Sequence, residues 1–198
     1  LNKEFLITGG CTSEKIDAAR CITNNSSGTM GLLLAQVAKF RGAKVKYIHG
    51  PLKTKLDITD GIETYEIKTS SDLNKAINKE IDNCDVFIMN AAVSDFRISC
   101  DTSKKVPKSE FENFLANNIE LTPDILKDVS KTKKQNQIFV GFCAFTGSIT
   151  NARKTIKEKI LYKGCDLLFA NPIDIEGQGF GEKVDNEGWL FDRKDMIC

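Results

Sequence analysis

The chain has 198 residues, with 28 Lys+Arg against 27 Asp+Glu, a single histidine, 41% hydrophobic residues and a formal net charge of +1. That length suits one domain with a full core, residues 1–198, and 28% charged residues is an ordinary water-facing surface, so disorder is excluded for most of it. A total so nearly balanced offers no long-range field for gathering nucleic acid or an anionic membrane, although a local patch can hide inside it.

The seven cysteines form no CxxC or CxxxxC pair, so neither a zinc knuckle nor a thioredoxin-like dithiol is built locally. Their odd number and their place in apolar runs, such as Cys84 before Val86-Phe87-Ile88, read as reduced thiols in a cytoplasmic protein. No apolar stretch approaches the roughly 18 residues of a membrane span, and Phe5-Leu6-Ile7-Thr8 is too short for a signal-peptide core.

In chain order, Phe5-Leu6-Ile7-Thr8 reads as a strand stopped by Gly9-Gly10. Met30, Leu33, Leu34, Val37 and Ala38 recur with helical spacing and predict one buried helix face, closed by Arg41-Gly42. A second strand follows over 44–48, a third over 62–67, and a helix from about 71 to 81 with Leu73, Ala76, Ile77 and Ile81 on one side. The run Asp85-Val86-Phe87-Ile88-Met89 is nearly continuous in apolar residues, as in a central strand buried on both faces. Two more such runs, 138–142 and 166–170, flank a helix carrying Ile149, Ala152, Ile156 and Ile160. The tail from Gly188, with Trp189, Leu190 and Phe191, predicts a closing strand or hairpin.

Alternating strands and helices of this kind specify an α/β fold, a Rossmann-like doubly wound and mostly parallel sheet. One segment breaks the rhythm: about 99–121 carries Lys104-Lys105-Val106-Pro107-Lys108 and then Phe111, Phe114 and Leu115 without a clean period. A long irregular excursion in a regular domain reads as a flap at the site or at a dimer interface.

In such sheets ligands sit beyond the carboxyl ends of the strands. After the first strand come Gly9, Gly10 and Thr12, then Asn24-Asn25-Ser26-Ser27-Gly28-Thr29-Met30-Gly31 entering the helix. Small hydroxylated residues there leave N–H groups for a phosphate, or Ser26 or Ser27 serves as an N-cap; the residues alone do not choose. The spacing fits neither GxGxxG nor GxxxxGK[ST]. After the central strand, Asn90-Ala91-Ala92 let a flat ligand approach the backbone, and Asp95 is either a plain loop carboxylate or a holder of metal, base or sugar. Thr122-Pro123-Asp124-Ile125 reads as a helix start with Pro at N1. Lys159 and Lys163, four apart, share a helix face, where dipole and solubility explain them as readily as phosphate does. The lone His49 is structural, because no nucleophile motif accompanies it. Lysines, backbone amides and an amide side chain point instead to electrostatic stabilisation of phosphoryl or nucleotidyl transfer.

The strings Gly9-Gly10-Cys11-Thr12, Asn24 to Gly31, Met89 to Phe96, Pro123-Asp124-Ile125-Leu126, Gly141-Phe142 and Ala170-Asn171, in this order, resemble the phosphopantothenoylcysteine synthetase family. The similarity extends to Gly179-Phe180-Gly181 and Asp185-Asn186-Glu187. The resemblance implies a ligase that joins 4'-phosphopantothenate to L-cysteine. A nucleoside triphosphate, CTP in most bacteria, activates the carboxylate as an acyl-nucleotidylate, and cysteine's amine then displaces the nucleotide. It implies Asn24 in the cysteine step, Met89, Asn90 and Ala91 against the base, Ala92 beside them, and Asp95 on nucleotide or Mg2+. It further implies Lys105 as the flap lysine, with Lys104 and Lys108 as neighbours able to take its role, Thr122 to Ile125 and Phe142 around the nucleotide, and Lys159 and Lys163 on its phosphates.

A homodimer is expected from the same resemblance. No flavin decarboxylase half precedes Leu1, so FMN is not expected on this chain. Two departures stand out: Phe145 replaces the usual acid in Gly141-Phe142-Cys143-Ala144-Phe145-Thr146, and Pro107 interrupts the flap's basic run. Both bear on the choice between CTP and ATP, and both motivate the alternative of a nucleotide-binding regulator or inactive paralogue. A short-chain NAD(P) oxidoreductase, suggested by Thr8-Gly9-Gly10, lacks its YxxxK, since Tyr47, Tyr65 and Tyr162 are followed four residues on by Pro51, Thr69 and Asp166.

Overall fold

The computed structural model describes residues 2–54, 56–175 and 187–198. Gly179, Phe180, Gly181, Asp185 and Asn186 of the family resemblance lie outside the described residues. Seven strands form one sheet: β1 (Glu4–Gly9), β4 (Lys44–His49), β5 (Glu63–Glu66), β6 (Val86–Met89), β9 (Ile138–Phe145), β10 (Leu167–Pro172) and β11 (Trp189–Asp192). Their order is β11-β10-β9-β6-β1-β4-β5, with β6 in the middle, as its apolar run requires. Every pairing is parallel except β11 against β10, so this is a Rossmann-like layer with one antiparallel edge. The expected closing strand and hairpin are both present: β11 pairs with β10, and Ile197 N donates to Leu190 O at 2.7 Å as the chain folds back.

The helices are α1 (Thr29–Phe40), α2 (Ser70–Glu80), α3 (Phe111–Asn118), α4 (Ile125–Ser130) and α5 (Ile149–Lys163). They divide the apolar residues into two clusters. Leu6, Phe87, Phe139, Leu168, Ile77 and Ile156 centre one cluster, where Phe87 meets Phe139 edge to face at 5.2 Å. Ile7, Tyr47, Leu32 and Ala35 centre the other, under α1. α2 starts as the sequence suggests, with Thr69 accepting from Asp72 N and Asp72 accepting from Thr69 N in a capping box.

α1 differs from the expectation. It buries Gly31, Leu32, Ala35 and Ala38, while Leu33 and Val37 are 42% and 52% exposed. The reason is close packing: a Cβ on Gly31 would lie 2.8 Å from the Gly9 Cα, so α1 seats its small residues on the sheet and turns its bulkier ones away. The flap also holds more order than its sequence shows. β7 (Phe96–Ile98) pairs antiparallel with β8 (Ile119–Leu121), and α3 lies between them. With only eight residues, α3 is too short for its period to stand out. A further hairpin, β2 (Ser13–Lys15) with β3 (Cys21–Thr23), projects between β1 and α1. All seven cysteines are free thiols, and no helix among the described residues is long and apolar enough to cross a membrane.

The turn after β4 is held to the turn after β1, with Gly50 N donating to Gly9 O at 3.1 Å. A Cβ on Gly50 would stand 1.9 Å from the Cys11 carbonyl oxygen. Gly50→Ala therefore overpacks a backbone contact and is expected to cost about 2 kcal/mol or more, read as a lowered urea midpoint at unchanged slope.

Candidate active site

Because β1, β4, β6 and β9 run parallel, their carboxyl ends open on one side of the sheet, and the loops that leave them build the site. The loops after β1 and β6 are zipped together. Ala92 N donates to Gly10 O at 2.9 Å, Thr12 N donates to Ala92 O at 3.1 Å, and Cys11 bridges Ala92 in parallel register. Buried hydroxyls finish the work: Thr8 Oγ1 accepts from Ala91 N at 3.1 Å and Thr12 Oγ1 from Ser94 N at 2.9 Å. From the other side, Thr122 Oγ1 donates to Ser94 O at 2.5 Å and Thr122 N to Asp95 O at 2.9 Å. With so many fixed donors and acceptors, the 90–95 loop is preorganised.

Over this loop lies a cavity of about 420 Å³. Met89, Ala91 and Asp95 line it from β6 and its loop, and Thr122, Pro123, Asp124 and Ile125 from the head of α4. Phe142 on β9 and Lys163 at the end of α5 complete the wall, so residues far apart in sequence share one chamber. A second cavity of about 310 Å³ sits at the amino ends of the strands, among Lys44, Lys46, Glu4 and Glu80. There Lys46 is already closed on Glu80 at 2.5 Å, and the ligand side of an open parallel sheet is the other end.

The remaining candidates lie at the margin or apart. Asn24 reaches the chamber's edge, with Nδ2 donating to Val93 O at 3.0 Å. The Asn90 Oδ1 is turned toward α1, 3.0 Å from where a Cβ on Gly31 would be, and Ala92 is occupied by the bridge to Cys11. Lys159 Nζ donates to Cys143 Sγ at 3.2 Å instead of lining the cavity, and Lys105 is exposed on the flap.

At one helix start the structure removes an alternative that the sequence left open, and at another it differs from the sequence reading. Neither Ser26 nor Ser27 caps α1: Gly28 is the N-cap, at φ 80° with no side-chain cap. The Ser27 hydroxyl instead meets Thr29 Oγ1 at 2.9 Å, because only a glycine takes that left-handed turn beside Gly10. Thus Gly9, Gly10, Gly28 and the α1 amino end form a close-packed backbone corner, with Thr12 and Ser26 beside it. Likewise Pro123 is not at N1 of α4: it precedes the N-cap Asp124, whose carboxylate accepts from Lys127 N at 3.2 Å, a bond proline cannot offer from its own side chain.

Three of the basic residues of α5 are matched by acids. Arg153 and Lys157 reach Asp195 at 2.7 and 3.8 Å, and Lys163 reaches Asp124 at 2.9 Å. Phe145, where the resemblance implies an acid, packs against Trp189 with ring centroids 5.9 Å apart. His49 is buried and stacked on Tyr47 at 5.1 Å, with Nδ1 at 2.9 Å from Gly50 O, a structural histidine. Among the described residues no group of three or more His, Cys, Asp or Glu is gathered to hold a metal. Asp95, exposed at the cavity, is a single carboxylate of the oxygen type that would hold a Mg2+.

Two residues went unnoticed in the sequence. Asp17 and Arg20, in the β2–β3 turn, are joined by a salt bridge, and Asp17 Oδ2 also accepts from Val106 N at 3.1 Å. No motif marks them; only the fold brings the turn against the flap.

A doubly wound layer with a chamber beyond the carboxyl ends of its central strands, floored by a preorganised loop, is an α/β domain of the ligand-binding type. The chain belongs to the DNA/pantothenate metabolism flavoprotein C-terminal domain family, whose model matches residues 1–197. It is 33% identical over 191 residues to the coenzyme A biosynthesis bifunctional protein CoaBC of Vibrio cholerae, covering 96% of this chain and 46% of that protein. The chain thus spans about half the length of the curated relatives it matches. The crystal structure of a CoaBC C-terminal domain superimposes with a TM-score of 0.76 at 30% identity, covering 98% of this chain and 84% of that one. A Cab2 mutant H337A complex with phosphopantothenate-cysteine shares the fold, with a TM-score of 0.71 at 16% identity over 98% of this chain and 81% of that one.

The Arg20 guanidinium holds the Asp17 carboxyl well below the usual carboxylate range, with backbone N–H groups of Ala19, Val106 and Arg20 assisting. A depressed folded-state value means the contribution to stability is full above the unfolded value of about 4 and is lost as pH falls toward the folded one. The gap in melting temperature between wild type and Asp17→Asn is therefore expected to hold from pH 8 to 5 and to shrink below about pH 4, as thermal melts across that range would show.

Proposed function

We propose that the domain catalyses ATP- or CTP-driven condensation of 4'-phosphopantothenate with L-cysteine, with CTP the expected nucleotide. The observation that carries this is the chamber itself, in a chain of this family: Ala91 and Phe142 in its wall for a base, Asp95 and Lys163 for charge, and Asn24 fixed at its edge. It is supported by the CoaBC relatives and by the ligand of the Cab2 complex.

In the first step a carboxylate oxygen of phosphopantothenate attacks the α-phosphorus. The acyl–phosphate bond forms, and the bond to pyrophosphate breaks. Lys105, carried by the flap, and Lys163 would balance the negative charge that shifts onto the leaving pyrophosphate. Lys163 would exchange Asp124 for phosphate, a trade of one charge-assisted bond for another. Asp95 would hold a Mg2+ carried in with the triphosphate, which would supply further neutralisation there. In the second step cysteine's amine attacks the acyl carbon, the bond to the nucleotide's phosphate breaks, and the amine proton passes to solvent. Asn24 donates one N–H to Val93 O and has its second N–H and its carbonyl left for the acyl intermediate, with no added charge. No nearby histidine is required, in keeping with the structural place of His49.

A homodimer is part of the same proposal. Phe96, Ile98, Ile119 and Leu121 alternate onto one face of the β7–β8 ribbon, and Leu121 is 80% exposed. A second copy covering this face would bring its flap root beside the chamber, which Leu121 also lines.

Lys105→Ala is expected to slow pyrophosphate release from CTP at least about a hundredfold, while Asn24→Ala still releases one equivalent and stalls before product. Pyrophosphate and product assays on both variants check this; if neither substitution changes turnover, the assignment fails. Leu121→Asp is expected to shift the protein to monomer in analytical ultracentrifugation, and an unchanged sedimentation coefficient would count against the ribbon as the interface.

A further inference from the structure

We infer that Asp17 is a positioning residue for the flap: with Arg20 it latches Val106, the residue after Lys105, to the β2–β3 hairpin, and so fixes where that lysine can reach. This deepens the ligase reading and rests on it for the role of Lys105, but the latch itself stands on geometry.

The segment from Ser99 to Pro107 has no strand or helix of its own, so its path depends on contacts with the body. Those contacts converge on one turn. Ala18 N meets Lys104 O at 3.4 Å. Val106 N donates to Asp17 Oδ2 at 3.1 Å, and Arg20 Nη2 donates to Val106 O at 2.7 Å. Arg20 also lies over the Phe111 ring, 3.7 Å from its centroid, at the start of α3. Residues 104 and 106 are therefore both tied down, and the exposed side chain of Lys105 springs from the single residue between them.

Asp17 is the keystone. Its side chain is fully buried, although it sits on a surface hairpin. One oxygen accepts from Ala19 N and Arg20 N, both at 2.8 Å; the other accepts from Arg20 Nε at 3.0 Å, from Arg20 Nη2 and from Val106 N. A buried carboxylate with every acceptor site used is held in one orientation. Replacing it by an amide of equal size removes the charge, turns one acceptor into a donor facing donors, and releases Val106.

The hairpin also connects the latch to the chamber. From Arg20 the chain runs through β3 to Thr23, whose hydroxyl donates to Thr12 O at 2.8 Å, and then to Asn24 on Val93 O. The same element thus holds both Asn24, at one edge of the cavity, and the backbone beside the flap lysine, so the two are positioned by one hairpin instead of by two independent loops.

The test combines proteolysis with kinetics on the intact chain. Lys104, Lys105 and Lys108 are exposed trypsin sites. In Asp17→Asn, limited trypsin cleavage within 104–108 is expected to accelerate about tenfold, and Phe111→Ala, which opens the latch from the flap side without touching Asp17, is expected to move it in the same direction. Asp17→Asn is also expected to raise KM for CTP about tenfold, with KM for cysteine unchanged. Because it acts through Lys105, adding it to Lys105→Ala should have no further effect on pyrophosphate release. Unchanged cleavage in both variants overturns the latch. Faster cleavage with additive kinetic losses overturns the positioning of Lys105. If the wild type turns over no triphosphate, the ligase reading fails while the proteolysis arm still decides the latch; if Asp17→Asn does not fold, Phe111→Ala decides it alone.

Discussion

The contact on which the rest depends is the backbone zip between the loops leaving β1 and β6, where Cys11 and Ala92 continue the parallel pairing beyond the sheet. A parallel sheet ends with unpaired N–H and C=O groups, and in a buried corner each would be costly. Here they are consumed by one another and by the hydroxyls of Thr8 and Thr12. That pairing leaves no room for side chains, which is why Gly9, Gly10, Gly28, Gly31 and Gly50 crowd the same corner. It also fixes Ala91 and Val93 in the chamber wall, and Val93 O in turn fixes Asn24. The small residues in the motif strings are therefore explained by packing before any ligand is considered.

Charge in the chamber is kept near balance. Lys163 rests on Asp124, which also caps α4, and Lys159 rests on the Cys143 sulfur, a weaker acceptor than a carboxylate. Lys159 lies outside the chamber's lining, so the lysine that does line it, Lys163, is already matched by a carboxylate. The overall charge of +1 then reflects pairing within the domain, including Asp195 against Arg153 and Lys157. A polyphosphate would bind by displacing acids from lysines, not by entering a standing positive field.

The sheet was legible because the apolar runs of β1, β6, β9 and β10 match strands covered on both faces and β4 alternates as a strand does, and the motif strings fall on the loops at the carboxyl ends of the strands. The face of α1 was not. Leu33 and Val37 keep helical spacing as well as Leu32, Ala35 and Ala38 do, and only the approach allowed by Gly31 decides which face turns inward. The flap was legible as an irregularity but not as a ribbon with a helix, since three-residue strands carry too few positions to show a period. Asp17 could not be found from sequence: its meaning comes from Val106, 89 positions away.

Phe145 shows how a departure from a family pattern can be read physically. The residue lies on the last pair of β9, packed against the main cluster and against Trp189 on the antiparallel edge strand β11. A carboxylate in that place would face an indole and an apolar cluster and would need a cation that the described residues do not bring there. The phenyl ring instead extends the apolar face that Cys143, Ala170 and Trp189 share with the main cluster, while Phe142 and Phe169 meet at 5.4 Å on the other side of the sheet. The change at 145 is therefore matched by its surroundings and belongs with the packing of the edge strand, whereas the groups that face the chamber, Asp95, Asp124 and Lys163, keep their polar character.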